Sequence, residues 1–173
     1  MTLTGKTIAL LAGDLYEDLE LWYPYYRLQE EGAEVVIIGT GEERYKGKNG
    51  LSVVPDRQIT EVSHSEFEAV VIPGGYAPDH MRRHRALLEF VQQLFEQGKI
   101  VAYICHAGWV PASAGILKDR RVTSFFSIRD DLENAGAHWV DESVVKDGNL
   151  ISSRYPGDLP NFCRTIIEAL AES

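Results

Sequence analysis

The chain has 173 residues, 45% hydrophobic and 25% charged, a balance that suits one globular domain over residues 1–173 with a sizeable core. A formal net charge of −9 argues against a broad nucleic-acid-binding face. Two cysteines are too few for a secreted disulfide framework, and the apolar run Ile8–Ala12 is too brief for a signal h-region or membrane span, so a reducing cytoplasm and no membrane partner are expected.

Ile8 to Ala12 reads as a first buried strand that Gly13-Asp14 opens into a loop. A helix follows from about Asp18, with Leu19, Trp22, Tyr23 and Tyr26 spaced as an apolar stripe. Pro24 inside it predicts a kink or a later start. Glu34 to Ile38 is a second strand behind the helix stop at Gly32. Arg44 to Val54, with Gly47, Asn49 and Gly50, predicts a hairpin off the main sheet. Ala69 to Ile72 is a third buried strand, ending at Pro73-Gly74-Gly75. Leu87, Leu88, Val91, Leu94 and Phe95 mark an amphipathic helix stopped near Gly98. Ile100 to Ile104 reads as a strand buried on both faces, and Cys105-His106 follows at once.

Short strands come next near Arg121–Ser124 and Val144–Lys146. Asp147-Gly148-Asn149 is a turn leading into Leu150–Ser152. The last helix carries Phe162, Cys163, Ile166, Ile167 and Leu170 on one stripe, which assigns Cys163 to the core. Strands alternating with helices predict an α/β sandwich with a mainly parallel central sheet and helices on both faces. Ligands of such sheets sit at the carboxyl ends of the strands. The loops Asp14–Asp18, Pro73–Asp79 and Cys105–Gly108 converge there.

A cysteine at a sharp strand-to-helix turn has the geometry of a nucleophile elbow with sulfur in place of oxygen. Ala107 and Gly108 permit the tight turn, and Pro111 suits a first helical turn near Val110. Positive potential at the helix N-terminus favours thiolate over thiol. Against this stands the common use of free cysteine as a small buried hydrophobe; the adjacent His106 tips the balance toward chemistry. Glu17 is placed to shuttle a proton to Cys105, or to cap a helix beside Asp18 and Glu20. Gly74-Gly75 either aims backbone N–H groups at an oxyanion or only makes a turn, and no dinucleotide fingerprint follows it.

Two other clusters carry less. Arg82-Arg83-His84-Arg85 and Lys118-Asp119-Arg120-Arg121 read as solvated positions on a helix face and near a turn. His80 and His84 stand four apart, but Met81 occupies the place of the glutamate in H-E-x-x-H, so neither a metal nor any cofactor is expected.

At Ala102-Tyr-Ile-Cys-His-Ala-Gly108 the chain resembles the ThiJ/PfpI superfamily, its PfpI branch especially. The likeness includes Tyr16-Glu-Asp-Leu-Glu-Leu-Trp-Tyr-Pro24, Val70-Val-Ile-Pro-Gly-Gly-Tyr-Ala-Pro78 and Ser113-Ala-Gly-Ile-Leu117. It continues through Asp130-Asp-Leu-Glu-Asn-Ala-Gly136, Trp139-Val-Asp141 and Asp147-Gly-Asn149 to Ser152-Ser-Arg154. Several motifs in the right order make it specific.

The resemblance implies a flavodoxin-like fold with Cys105 as the nucleophile, His106 as the catalytic histidine and Glu17 as the carboxyl touching Cys105. It puts Gly75 and the His106 backbone in an oxyanion hole. An acid from a neighbouring subunit would complete a Cys-His-acid triad at Asp79, which implies a homodimer or higher oligomer. The aromatic cluster Trp22, Tyr23, Tyr25 and Tyr26 could line that interface, although half of it suits an ordinary core. Aspartate stands at position 79 where the family pattern has glutamate, and Ala107-Gly108-Trp109 where glycine-proline is common, so Trp109 is expected to narrow the pocket.

Activities implied by the likeness range over cofactor-independent glyoxalase, deglycase, intracellular cysteine peptidase and redox-sensing or stress proteins. Small dicarbonyls or their adducts are the leading substrates, because a thiolate adds readily to an aldehyde. A peptidase would need a peptide groove and a full triad. A sensor would need an oxidisable Cys105. A class I glutamine amidotransferase would want a distant His-x-Glu pair, whereas His138 is followed by Trp139-Val140.

Overall fold

The computed structural model describes residues 1–172. Eleven strands form in chain order: β1 (Thr7–Leu11), β2 (Glu34–Gly39), β3 (Tyr45–Lys46), β4 (Ser52–Val53), β5 (Arg57–Gln58), β6 (Ala69–Ile72), β7 (Ile100–Ile104), β8 (Arg121–Val122), β9 (His138–Trp139), β10 (Val144–Asp147) and β11 (Leu150–Ser153). Six α-helices accompany them: α1 (Asp18–Glu30), α2 (Ala77–Met81), α3 (Arg85–Glu96), α4 (Trp109–Ser113), α5 (Arg129–Asn134) and α6 (Leu159–Ala171).

Seven strands share the central sheet in the order β10-β11-β7-β6-β1-β2-β5. Every neighbouring pair is parallel except β10–β11, the hairpin that Asp147-Gly148-Asn149 turns. β3–β4 is a small antiparallel hairpin off that sheet, as its glycines foretell. Strands β6 and β7 throughout, and β1 after Thr7, are apolar because both faces of a parallel sheet are covered. Helices cover both faces: α1 packs with α6, while α3 and α4 pack with each other, and one continuous apolar core runs between the layers. This is a flavodoxin-like α/β architecture.

The chain leaves β1 toward β2 and β5, then returns to place β6 on the other side of β1. That reversal makes the carboxyl end of β1 and β6 a topological switch point, where open α/β sheets form crevices. β7 lies next to β6 in parallel register, so Cys105 emerges beside the same crevice.

Helix α1 departs from the amphipathic reading. Leu19, Tyr23 and Tyr26 are exposed and Trp22 is half-buried, whereas Asp18, Glu20, Leu21, Pro24 and Leu28 face inward. Two carboxylates are drawn in because distant backbone N–H groups wait for them. Nor does Pro24 delay the helix, which runs unbroken from Asp18 to Glu30. His80 lies in α2 and His84 caps α3, so the two do not share a helix face. Among the described residues, no helix is long and apolar enough to cross a membrane.

Candidate active site

Cys105 follows β7 with φ +63°, a left-handed conformation that is costly for a residue with a Cβ. The strain turns the chain at once into the short 3-10 turn Cys105–Gly108 ahead of α4. Sγ lies 3.2 Å from His106 Nδ1. The backbone N–H groups of His106 and Gly75 favour its charged form. The sharp elbow expected from sequence is present, but α4 has only five residues and supplies little dipole.

Gly75 can approach the sulfur because it has no side chain. Its φ is +77°, and an added Cβ would run into Leu15 O and lie 2.5 Å from Glu17 N. The reason is an isolated antiparallel bridge between Tyr16 and Gly75. Through it Glu17 N–H donates to Gly74 O (3.1 Å) and Tyr76 N–H donates to Leu15 O (2.8 Å). The loops after β1 and β6 are thereby stitched together beside the elbow.

The carboxyl drawn inward beside Cys105 is Glu20, which is fully buried, accepts the Gly74 N–H at 2.7 Å through Oε2 and leaves Oε1 without a hydrogen-bond partner among the described residues. Three residues earlier on the same helix face, Glu17 lines the pocket but turns to Lys48 Nζ (2.6 Å) and Asn49 Nδ2 (3.2 Å). The Gly74 N–H is taken by Glu20, so it is not free to meet an oxyanion, as the sequence had allowed.

Burial pushes Glu20 up to about 8, aided by the charge of Glu17 and opposed by its hydrogen bond from Gly74. Burial also pushes the Cys105 thiol up to about 12, with the Glu20 charge adding to it. Desolvation thus acts against the thiolate expected from a helix N-terminus, and the five-residue α4 gives little to offset it. At neutral pH both groups hold their protons, and a neutral Glu20 places no charge against ionisation of the sulfur. Two carboxyls on one helix thus divide their roles by environment.

Lys48 belongs to this crevice although sequence reading passed over it. Its ammonium is held up by Glu17 and lowers the Cys105 pKa. The loop that carries it is clamped by buried Asp18, which accepts the N–H groups of Asn49 and Leu51, both at 2.8 Å. Tyr16 OH donates to Leu51 O (2.6 Å), and Tyr16 O accepts from Lys48 N–H (2.9 Å). At Gly47 a Cβ would sit 2.5 Å from the Asp18 carboxylate. Gly47 and Asn49 in the predicted hairpin were the available signal.

The His106 ring is gripped on several sides. Phe125 stacks on it with centroids 5.1 Å apart, and Trp109 meets it edge-on at 5.4 Å. Its outer nitrogen, Nε2, lies 3.1 Å from Ser127 Oγ. Burial lowers the His106 pKa, with Lys48 adding to the effect, so the imidazole favours its neutral form. Phe125 N–H donates to Cys105 O (3.3 Å), which ties this segment to the elbow.

Two expected site residues lie elsewhere. Asp79 sits on α2 in an exposed ion pair with Arg83 and does not reach His106 within the chain. Trp109 buttresses the imidazole from outside the crevice, where its Nε1 donates to Asp131 (2.9 Å) and Arg82 covers its ring. A helix start points Trp109 sideways rather than into the space above Cys105. The crevice itself holds about 190 Å³, with Tyr76, Phe125, Tyr155 and Pro156 around its mouth. A larger concavity of about 620 Å³ lies far from the sulfur, on the exposed aromatic face of α1. Cys163 is buried in α6, as its stripe indicates.

The DJ-1/PfpI family model matches residues 6–169. Deglycase PfpI of Pyrococcus furiosus is 46% identical over 163 residues, covering 94% of this chain and 98% of that protein. A two-domain protein of Anabaena variabilis with DJ-1/ThiJ/PfpI-like and ferritin-like domains is 46% identical with a TM-score of 0.92, covering 95% of this chain and 48% of that one. DJ-1beta of Drosophila melanogaster is 30% identical with a TM-score of 0.91, covering 97% of this chain and 91% of that one.

Proposed function

Since the chain belongs to the DJ-1/PfpI family, we propose that it is a cysteine-dependent deglycase acting on small reactive-carbonyl adducts. The observation that carries this reading is Cys105 at the strained elbow, with the His106 imidazole 3.2 Å from its sulfur and the buried Glu20 carboxyl beside it. A carbonyl adduct of an amine is a hemiaminal. The Cys105 sulfur attacks its carbinol carbon, forming a C–S bond as the C–N bond breaks, and its thiol proton passes to the neutral His106 imidazole 3.2 Å away. Glu20 gives its proton to the leaving amine. The Gly75 and His106 N–H groups stabilise negative charge at the elbow.

What remains on the enzyme is a hemithioacetal next to a ketone. Proton transfer between its two carbons, with Glu20 as base and acid, oxidises one carbon and reduces the other within the same molecule. The product is a thioester that water cleaves to a 2-hydroxy acid and free thiol. A free dicarbonyl enters the same route by direct addition, the glyoxalase variant. No outside oxidant or cofactor enters this balance.

About 190 Å³ holds a few-carbon adduct and leaves no groove for an extended peptide, which favours this reading over a peptidase. Cytoplasmic work on stress-derived carbonyls accords with free thiols at both cysteines. The deciding experiment follows release of amine and 2-hydroxy acid from a methylglyoxal-treated N-acetyl-lysine adduct. Cys105→Ala is expected to abolish both products, with casein untouched by either protein. Turnover that survives in Cys105→Ala refutes the proposal.

A further inference from the structure

Lys48 brings to the crevice a cation whose donors are only partly engaged. Its Nζ lies 2.6 Å from Glu17 Oε2, and among the described residues the ammonium has no second hydrogen-bond or ion-pair partner. An ammonium carries three N–H donors, so two remain for a ligand in the crevice that Lys48 and Glu17 both line. We propose that Lys48 is a substrate-binding residue that receives a carboxylate, so that the site favours adducts on the α-amine of a small free amino acid over adducts on a lysine side chain. This inference rests on the deglycase reading for its substrate and on Cys105 as the reacting residue.

The ammonium is aimed rather than left to swing. Buried Glu17 holds Nζ with one carboxylate oxygen and accepts from Asn49 Nδ2 (3.2 Å) with the other. Asn49 is the next residue on the same loop, so the acid grips the loop at two side chains. The loop backbone is fixed separately. Lys48 N–H donates to Tyr16 O (2.9 Å), and the Asn49 and Leu51 N–H groups both donate to buried Asp18 (2.8 Å). From that position the Lys48 charge acts on three groups of the site: it favours the charged forms of Cys105 and Glu20 and opposes imidazolium at His106. A cation felt by all three stands close to where a carbon bound to the sulfur would lie.

The surrounding charges leave Lys48 as the place for an anion. Among the described residues it is the one lysine or arginine lining the crevice. The Glu17 carboxylate is engaged by Lys48 and Asn49, burial keeps Glu20 protonated at neutral pH, and the imidazole favours its neutral form. In the carbonyl adduct of a free amino acid, a carboxylate hangs on the carbon next to the reacting nitrogen. Sulfur attack at the carbinol carbon therefore brings that carboxylate to the wall that holds Lys48. An adduct on a lysine side chain offers only methylene groups there. A volume of about 190 Å³ has room for the methylglyoxal adduct of glycine or alanine, whereas a longer side chain must leave past Tyr76 and Tyr155.

Two measurements on the full-length protein test this. The first compares alkylation of Cys105 by iodoacetate and by iodoacetamide, which differ as carboxylate against amide, with Cys105→Ala as background. Wild type should prefer iodoacetate about three- to tenfold more than glutathione does, between the effect of an exposed ion pair and that of a buried charged hydrogen bond. Lys48→Met should return the ratio to that of glutathione, and Lys48→Arg should keep it. The Lys48 side chain is 40% exposed and the loop is held through its backbone, so these variants spare the core. The second takes the ratio of kcat/KM for the methylglyoxal adducts of alanine and alaninamide. Lys48→Met should lower that ratio about three- to tenfold, chiefly through KM; the action of Lys48 on Cys105 is common to both adducts and cancels. A wild-type alkylation ratio equal to that of glutathione overturns the proposal. So does a Lys48→Met protein that loses turnover of both adducts alike or of neither. Alkylation needs no turnover, so it reports on Lys48 separately from the deglycase reading, which falls if Cys105→Ala stays active.

Discussion

Replacing Glu20 by glutamine should make the protein more stable and far less active, with the gain in stability absent in acid and growing as pH rises from about 4.5 toward 8. Glu20 is fully buried, and burial lifts its pKa from 4.5 to about 8. At pH 7 the unfolded chain ionises this group while the folded one holds it protonated. A raised carboxyl pKa stabilises the fold fully below the unfolded value and loses that contribution as pH rises toward the folded value. Relative to acid, the ionisable group therefore costs roughly 3 kcal/mol at pH 7 and under about 0.5 kcal/mol at pH 4.5.

The Glu20→Gln side chain would carry no such linkage, yet its amide retains an acceptor for the Gly74 N–H. Urea unfolding of the two proteins at pH 4.5 and pH 7 measures the difference. For a chain of this length, about 3 kcal/mol corresponds to roughly 6–12 °C in Tm. Turnover of the lysine adduct should drop about 10²–10⁴-fold, because an amide cannot pass the proton. Equal stabilisation at both pH values, or destabilisation at pH 7, would refute the assignment of Glu20 as the proton-carrying carboxyl.

Two further outcomes are expected. Gly75→Ala meets both a positive φ and backbone atoms rather than a flexible side chain, so it should lower stability by more than about 1 kcal/mol and separate the Gly75 N–H from the sulfur; a wild-type melting curve with wild-type turnover would contradict the bridge geometry. The exposed face of α1, with Tyr26 63% and Leu19 56% accessible, is expected to bury itself against a second copy. Light scattering behind a sizing column should then give a dimer or larger for wild type and a smaller species for Tyr26→Glu; a monomeric wild type at tens of micromolar would dismiss that contact.

Much of this molecule could be read from residues in a row. Strand β6 and strand β7 lie at the predicted positions because continuous apolar runs bounded by Pro-Gly-Gly and Cys-His have few other uses. The hairpin at Asp147-Gly148-Asn149 and the α6 stripe are equally local in origin. The Cys-His elbow, the parallel sheet and the family motifs followed from the same kind of signal.

Local pattern failed where the deciding partner lies far along the chain. The period of α1 sent its aromatics inward, yet the folded chain buries Asp18 and Glu20 instead. Their partners are backbone N–H groups of Asn49, Leu51 and Gly74, and only the closed fold brings those within reach. For the same reason neighbouring carboxyls could not be ranked by spacing, and Lys48 and Ser127 stood unremarked until loops from separate strands met over Cys105. A helix N-terminus foretold an acidic thiol, but desolvation is a property of the surrounding volume and acts against it here. Apolar runs and turn residues thus carry the architecture in the sequence itself, because their energetics are short-range; which acid holds the proton is set by burial and distant donors, and those exist only in three dimensions.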